Sequence, residues 1–118
     1  MARVPRSRLK VSAQRGSVWW VDLDPTRGAE IRKTRPAVVL SADSLNRARR
    51  TVMVVPLSTG PAPHPPIVVA TPSVGDGSVA VCDQLRAVDK ARLTRMEAVL
   101  SREDLRAIED GVRAVLQL

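Results

Sequence analysis

Between Arg15 and Pro36 the chain reads RGSVWWVDLDPTRGAEIRKTRP, and its loop sets one carboxylate, Glu30, among Arg27, Arg32, Lys33 and Arg35. Such a loop is suited to meeting a phosphate while carrying its own acid/base group. Other chemistries are limited by what the chain lacks. The single histidine, His64, stands in a proline-rich stretch, so one chain cannot supply a two-histidine acid/base pair. A Ser-His-Asp hydrolase would need His64 as its base, and no Gly-x-Ser-x-Gly elbow occurs. One histidine and one cysteine argue against a zinc site, and no tight Asp cluster suggests magnesium. What remains is arginine, glutamate and hydroxyl groups. That set suits cleavage of RNA by its own 2′-OH, where the nucleophile belongs to the substrate. The protein then has to align the reacting atoms and stabilise charge on the phosphoryl oxygens. A guanidinium fork does the second task at any relevant pH but is a poor base.

Each candidate also has a plainer reading. Glu30 alone would be a solvated loop residue, and Arg35 could pair with Asp22 or Asp83 at a strand edge. Arg32 and Lys33 beside Arg35 suit phosphate contact, whereas Arg47, Arg49 and Arg50 could equally form a solvated turn. Gln84 carries the donors and acceptors to read a base edge, or to bond loop backbone.

The elements that must position these residues follow from local pattern. Ser17 to Leu23 is a Val/Trp-rich strand ended by Asp24-Pro25. Its adjacent Trp19 and Trp20 must point to opposite faces, one into the core and the other toward a loop or partner. Pro36 to Leu40 is a second strand, with proline at its first position where it breaks no ladder. Ser41 to Arg50 suits a short helix or turn capped by Asp43 or Ser44. Thr51 to Leu57 is a third strand, and the segment STGPAPHPP after it cannot pair as sheet. Ile67–Ala70 and Ser78–Leu85 follow as strands around a Gly75–Gly77 turn. Val88–Leu93 is expected as a helical turn and Arg95–Leu100 as a last strand. Ser101 then caps a helix with Glu103 and Asp104 in its first turn, and Leu105, Ile108, Val112, Val115 and Leu116 share one face. Short strands followed by one amphipathic helix predict a mainly β domain, a small twisted barrel with a C-terminal helix.

The stretch from Arg15 to Pro36, with PLST at Pro56–Thr59 and CDQLRAVDKARL at Cys82–Leu93, resembles the MazF/PemK family of toxin endoribonucleases. The resemblance runs in order from Arg15 to the C-terminus and implies an SH3-like barrel. It implies catalytic roles for Arg35, in the Arg-Pro step, and for Glu30, in Gly28-Ala29-Glu30 where relatives show Gly-Ser-Glu. Ser58 matches a position where many relatives carry a catalytic threonine; it keeps the hydroxyl and loses a methyl, and Thr59 beside it could take the role. Asp83, Gln84 and Arg86 match a segment beside the RNA groove. Relatives often place glycines between the loop Glu and the Arg-Pro step. This chain has Ile31-Arg32-Lys33-Thr34, a stiffer and more cationic loop, so cleavage specificity does not transfer. The resemblance further implies a homodimer with the groove at its interface, and an antitoxin whose acidic, partly disordered segment occupies that groove. No cofactor is implied. The expected substrate is single-stranded RNA, messenger RNA by default, cut to 2′,3′-cyclic phosphate and 5′-OH ends.

Composition fits this reading. A chain of 118 residues makes one domain with little room for a deep pocket, so its site belongs on a surface groove or an interface. The net charge is +7, of which Arg3, Arg6, Arg8, Lys10 and Arg15 carry most. Residues 1–14 read as a basic, flexible arm giving non-specific attraction to nucleic acid, or as a plain solubilising extension, and residues 15–118 as the domain. Cys82 stands alone in an apolar run, a buried inert thiol. No apolar run approaches a membrane span and no signal sequence is visible, so a cytoplasmic protein is expected. Two rival readings stand beside it: a gyrase-poisoning toxin of the CcdB type, which has no use for Arg35, Glu30 and Ser58 together, and a nucleic-acid-binding regulator acting through the arm.

Overall fold

The computed structural model describes residues 12–23 and 34–118. In chain order these form β1 (Ser17–Asp22), β2 (Thr34–Val39), a short helix α1 (Asp43–Ala48), β3 (Thr51–Ser58), β4 (Val68–Ala70), β5 (Val79–Val81), β6 (Arg86–Asp89), β7 (Leu93–Val99) and a long helix α2 (Arg102–Leu116). The strands make one antiparallel sheet in the order β4-β5-β3-β2-β1-β7, with β6 also on β3. The fold is mainly β with a C-terminal helix, as the pattern predicts. The twisted sheet stays open, because β4 and β7 stand at opposite ends of that order. Among the described residues no helix is long and apolar enough to cross a membrane.

Strand β3 organises the sheet. Its outer edge pairs with β5 at Leu57↔Ala80 and Ser58↔Val79, then with β6 from Val54↔Arg86 to Thr51↔Asp89. Continuing the β5 register would bring Asp83 opposite Val54; the actual partner, Arg86, comes three residues later. The difference is the length of a 3-10 turn over Cys82–Gln84, which leaves the ladder and projects Asp83 and Gln84 outward. A single strand over Ser78–Leu85 is therefore corrected: strand, turn and new strand divide it. The helical turn expected at Val88–Leu93 is likewise shorter. β6 runs to Asp89, whose Oδ1 accepts the Ala91 N–H (2.8 Å) and starts a 3-10 turn over Lys90–Arg92.

Alternation along the strands builds two cores. Val18, Val38, Val55 and Leu57 face α2, whose Ile108 and Val112 are buried against them, with Leu105 and Val115 packed at the margin. Trp19, Val21, Ala37, Val39, Val52, Val54 and Val88 fill the opposite face, where the sheet curls over itself. Each fully buried Val, Leu or Ile contributes about 1.5–3 kcal/mol relative to exposure. Leu116, expected on the buried face, is 50% exposed because the helix ends there.

Caps and polar ties fix the ends. The Ser101 hydroxyl accepts the Asp104 N–H (3.1 Å), as the cap pattern predicts. Buried Asp104 in turn accepts the Ser73 N–H (2.7 Å), fastening the β4–β5 loop to the start of α2. Helix α1 is not capped by Asp43 or Ser44; its N-cap is Ala42, and the Asp43 carboxylate accepts the Arg15 N–H instead (2.7 Å). The Arg15 side chain donates to the Leu40 carbonyl (3.0 Å) and pairs with Glu109 (2.6 Å), so it ties β2 to α2. Gly16 beside it adopts φ +90°, a left-handed value that a side chain resists, while its amide and carbonyl bond to Val39 and Leu100.

Candidate nucleic-acid interface

The β2–β3 ladder ends at Ala37↔Pro56. Two steps outward along each strand stand Arg35 and Ser58, at matching positions and both half-buried. Arg35 enters through the Arg-Pro step, where Pro36 needs no amide hydrogen bond. Ser58 is the last residue of β3, still opposite Val79 of β5 but beyond the end of the β2 pairing, where the proline-rich loop begins. Together they stand on the wall between two adjoining depressions.

The first depression, about 360 Å³, is lined by Trp20, Thr34, Arg35, Ser58, Thr59 and Asp76 with apolar residues between them. The second, also about 360 Å³, carries Leu23, Arg35, Ser58, Gln84 and Arg86. Arg35 and Ser58 therefore face both, with Thr59 to one side and Gln84 and Arg86 to the other. Among the described residues Arg35 makes no ion pair, so the strand-edge pairing with Asp22 or Asp83 does not form. The Ser58 hydroxyl accepts the Gly60 N–H at 3.4 Å, a weak contact that leaves its own proton available to donate.

Other sequence candidates fall elsewhere. Asp83 is exposed on its 3-10 turn and lines neither depression. Glu30, Arg32 and Lys33 lie outside the described residues, as does Arg27. His64 is exposed and its backbone bridges to Val68, well within the proline-rich loop. Cys82 is buried, and desolvation first, then the nearby Asp83 charge, raises its thiol from 9.0 to about 11. It is a protonated, inert thiol at neutral pH. Among the lining residues that escaped sequence reasoning are Trp20, Thr34 and Asp76. Trp20 had a signal in the paired tryptophans of one strand; Asp76 reaches the groove only because the β4–β5 turn folds over it.

The fold has precedents among known proteins. Residues 14–116 match the family described as PemK-like, MazF-like toxin of type II toxin-antitoxin system. The chain belongs to that family. It is 32% identical over 114 residues to Endoribonuclease MazF9 of Mycobacterium tuberculosis, spanning 89% of this chain and 97% of that protein. The crystal structure of MazF from Deinococcus radiodurans superposes with a TM-score of 0.77 at 24% identity, covering 92% of this chain and 99% of that one. An endoribonuclease in complex with its cognate antitoxin, from a mycobacterial species, gives 0.75 at 24% identity, covering 89% and 95%. These structural likenesses carry the fold. In this PemK/MazF-like toxin, then, the open sheet presents Arg35 and Ser58 at the ends of two neighbouring strands, and the β5–β6 turn brings Gln84 and Arg86 to the same surface.

Proposed function

We propose that this toxin is a metal-independent endoribonuclease acting on single-stranded RNA in the cytoplasm, messenger RNA by default. One observation carries the reading: Arg35 and Ser58 stand side by side on the wall shared by two open depressions, and Arg35 has no ion-pair partner among the described residues. A guanidinium at such a place can grip a phosphate with two parallel N–H bonds. Unpaired bases can be splayed into the flanking depressions and read at their edges, as an A-form duplex cannot.

In the proposed mechanism the 2′-OH of the bound nucleotide attacks the adjacent phosphorus. Arg35 stabilises the charge growing on the phosphoryl oxygens, Ser58 donates a hydrogen bond to the same group, and Glu30 moves the proton. The products are a 2′,3′-cyclic phosphate and a 5′-OH end. Arg86, with Arg32 and Lys33, holds flanking phosphates, and Gln84, with Asp83 and Thr59, contacts nucleotides beside the cut. The protein acts as a homodimer, and a cognate antitoxin covers the groove with an acidic, partly disordered segment.

Incubating the purified protein with a long single-stranded RNA in excess EDTA, beside Arg35→Ala, tests this. Discrete cuts with 5′-OH ends, absent in the variant, are expected. Intact RNA across a set covering all short motifs would overturn the reading.

A further inference from the structure

Strand β7 is irregular against β1 at two places, and both irregularities serve one residue. The partners run Val18↔Ala98, Trp19↔Met96, Trp20↔Arg95 and Val21↔Leu93, so Glu97 and Thr94 are left without partners in the register. Glu97 Oε1 accepts the Trp20 indole N–H at 2.6 Å. The Thr94 hydroxyl donates to the Trp20 carbonyl at 3.1 Å. Arg95, opposite Trp20, holds its guanidinium carbon over the ring, 5.6 Å from the centroid, and its Nη2 lies 3.8 Å from Glu97 Oε1. Bulges re-aim side chains and are frequent beside active sites. Here they fix one indole by its polar edge and its backbone.

That fixing is not explained by the core. Trp19 is buried within a hydrophobic cluster, but Trp20 belongs to neither cluster and is only half-buried. Its ring lines the depression that holds Arg35 and Ser58, and also a shallower one of about 350 Å³ shared with Thr34, Thr94 and Arg95. Three depressions therefore run in series. Arg35 and Ser58 join the first pair, and Trp20 and Thr34 join the second.

We infer that Trp20 is a stacking platform for a nucleobase beside the cleaved bond, and that Arg95 contacts the phosphate leading away from it. This rests on the RNA-cleaving reading of the Arg35–Ser58 site. An indole locked at its edge offers a flat face with little ordering cost, and stacking tolerates any base because every base has a π-face. Arg95 supplies positive charge where the strand leaves. The platform positions substrate and takes no part in the bond change.

A random pool of fluorescein-labelled 2′-O-methyl octanucleotides tests the platform apart from cleavage, since these cannot attack their own phosphates. Trp20→Ala should weaken binding about tenfold or more, as at other stacking aromatics. Trp20→Phe should retain most of the affinity, and Arg95→Ala should lower the salt dependence. On unmodified RNA, an abasic nucleotide beside the cut should slow the wild type but not Trp20→Ala. Unchanged binding by Trp20→Ala overturns the platform, as does a Trp20→Phe loss equal to that of alanine. A change in sedimentation of Trp20→Ala would also overturn it, by making the ring an assembly contact. Trp20-dependent binding with no Arg35-dependent cleavage would sink the cleavage reading alone. Arg35-dependent cleavage indifferent to Trp20 and to the missing base would sink the platform alone.

Discussion

Arg35 and Ser58 stand at matching positions just past the end of the β2–β3 pairing, and each makes a prediction about the chemistry. If Arg35 grips the phosphate through two prongs, an ammonium cannot replace it. Arg35→Lys should remain severely impaired in single-turnover cleavage, by about 10² or more; near-normal rates would reduce Arg35 to a point charge. Between the two neighbouring hydroxyls the geometry favours Ser58, which lines both depressions, over exposed Thr59, which lines the first. Ser58→Ala should lose about 10²-fold in rate and Thr59→Ala only a few-fold; the reverse order would transfer the role. Cys82 makes a prediction about pH. Its folded pKa, about 11, lies above the ordinary 9.0, so the folded state keeps a proton that the unfolded chain has released. The contribution is full below the unfolded value and lost as pH rises through the folded one. Urea midpoints of the wild type should therefore fall between those two values relative to Cys82→Ala. Parallel curves would show the thiol contributes no such linkage.

At the scale of elements, α2 and the 3-10 turn before β6 are locked together at Gly111. A Cβ added there would sit 2.7 Å from Cys82 Sγ and 2.7 Å from the Pro66 carbonyl oxygen. In an open helix, Gly→Ala gains about 1 kcal/mol. Here the clash with fixed backbone should reverse the sign, since overpacking costs about 1–3 kcal/mol. Gly111→Ala should lower the thermal midpoint by several degrees, at roughly 4–8 °C per kcal/mol. A raised midpoint would show that the helix can slide. The same turn displaces Gln84 and Arg86 into position, so loosening this contact should also perturb the groove.

For the whole molecule, charge and fold divide the work of binding. Most of the +7 lies before Ser17, while the groove itself carries Arg35, Arg86 and, beyond Trp20, Arg95. Removing residues 1–14 should weaken RNA binding at low salt and flatten its salt dependence, yet leave the cleavage sites unchanged. A shifted cut site after truncation would mean that the arm helps read sequence. The domain's small size is consistent with this division. The described residues of this open sheet form shallow depressions in series, which suit an extended strand better than a small molecule.

Sequence by itself determined the elements whose signals are local. Alternation of Val and Trp set β1 with its two opposed rings, the Arg-Pro step opened β2, and Ser101 with two acids marked the start of α2. The family resemblance also pointed to Arg35, Ser58, Gln84 and Arg86 as a group. Tertiary structure alone decided where strands would break and which side chains would meet. The Ser78–Leu85 run looked like one strand because its composition is uniform; it divides because β3 exchanges β5 for β6 and the register must absorb three residues. Asp83 fell outside the groove for the same reason. One of the paired tryptophans could be read as outward-facing, but not which; that it is Trp20, clamped by Glu97 and Thr94 more than seventy residues away, depends on bulges that no local pattern announces. Period and caps are short-range properties of a chain, whereas register is settled by the competition of distant strands for pairing.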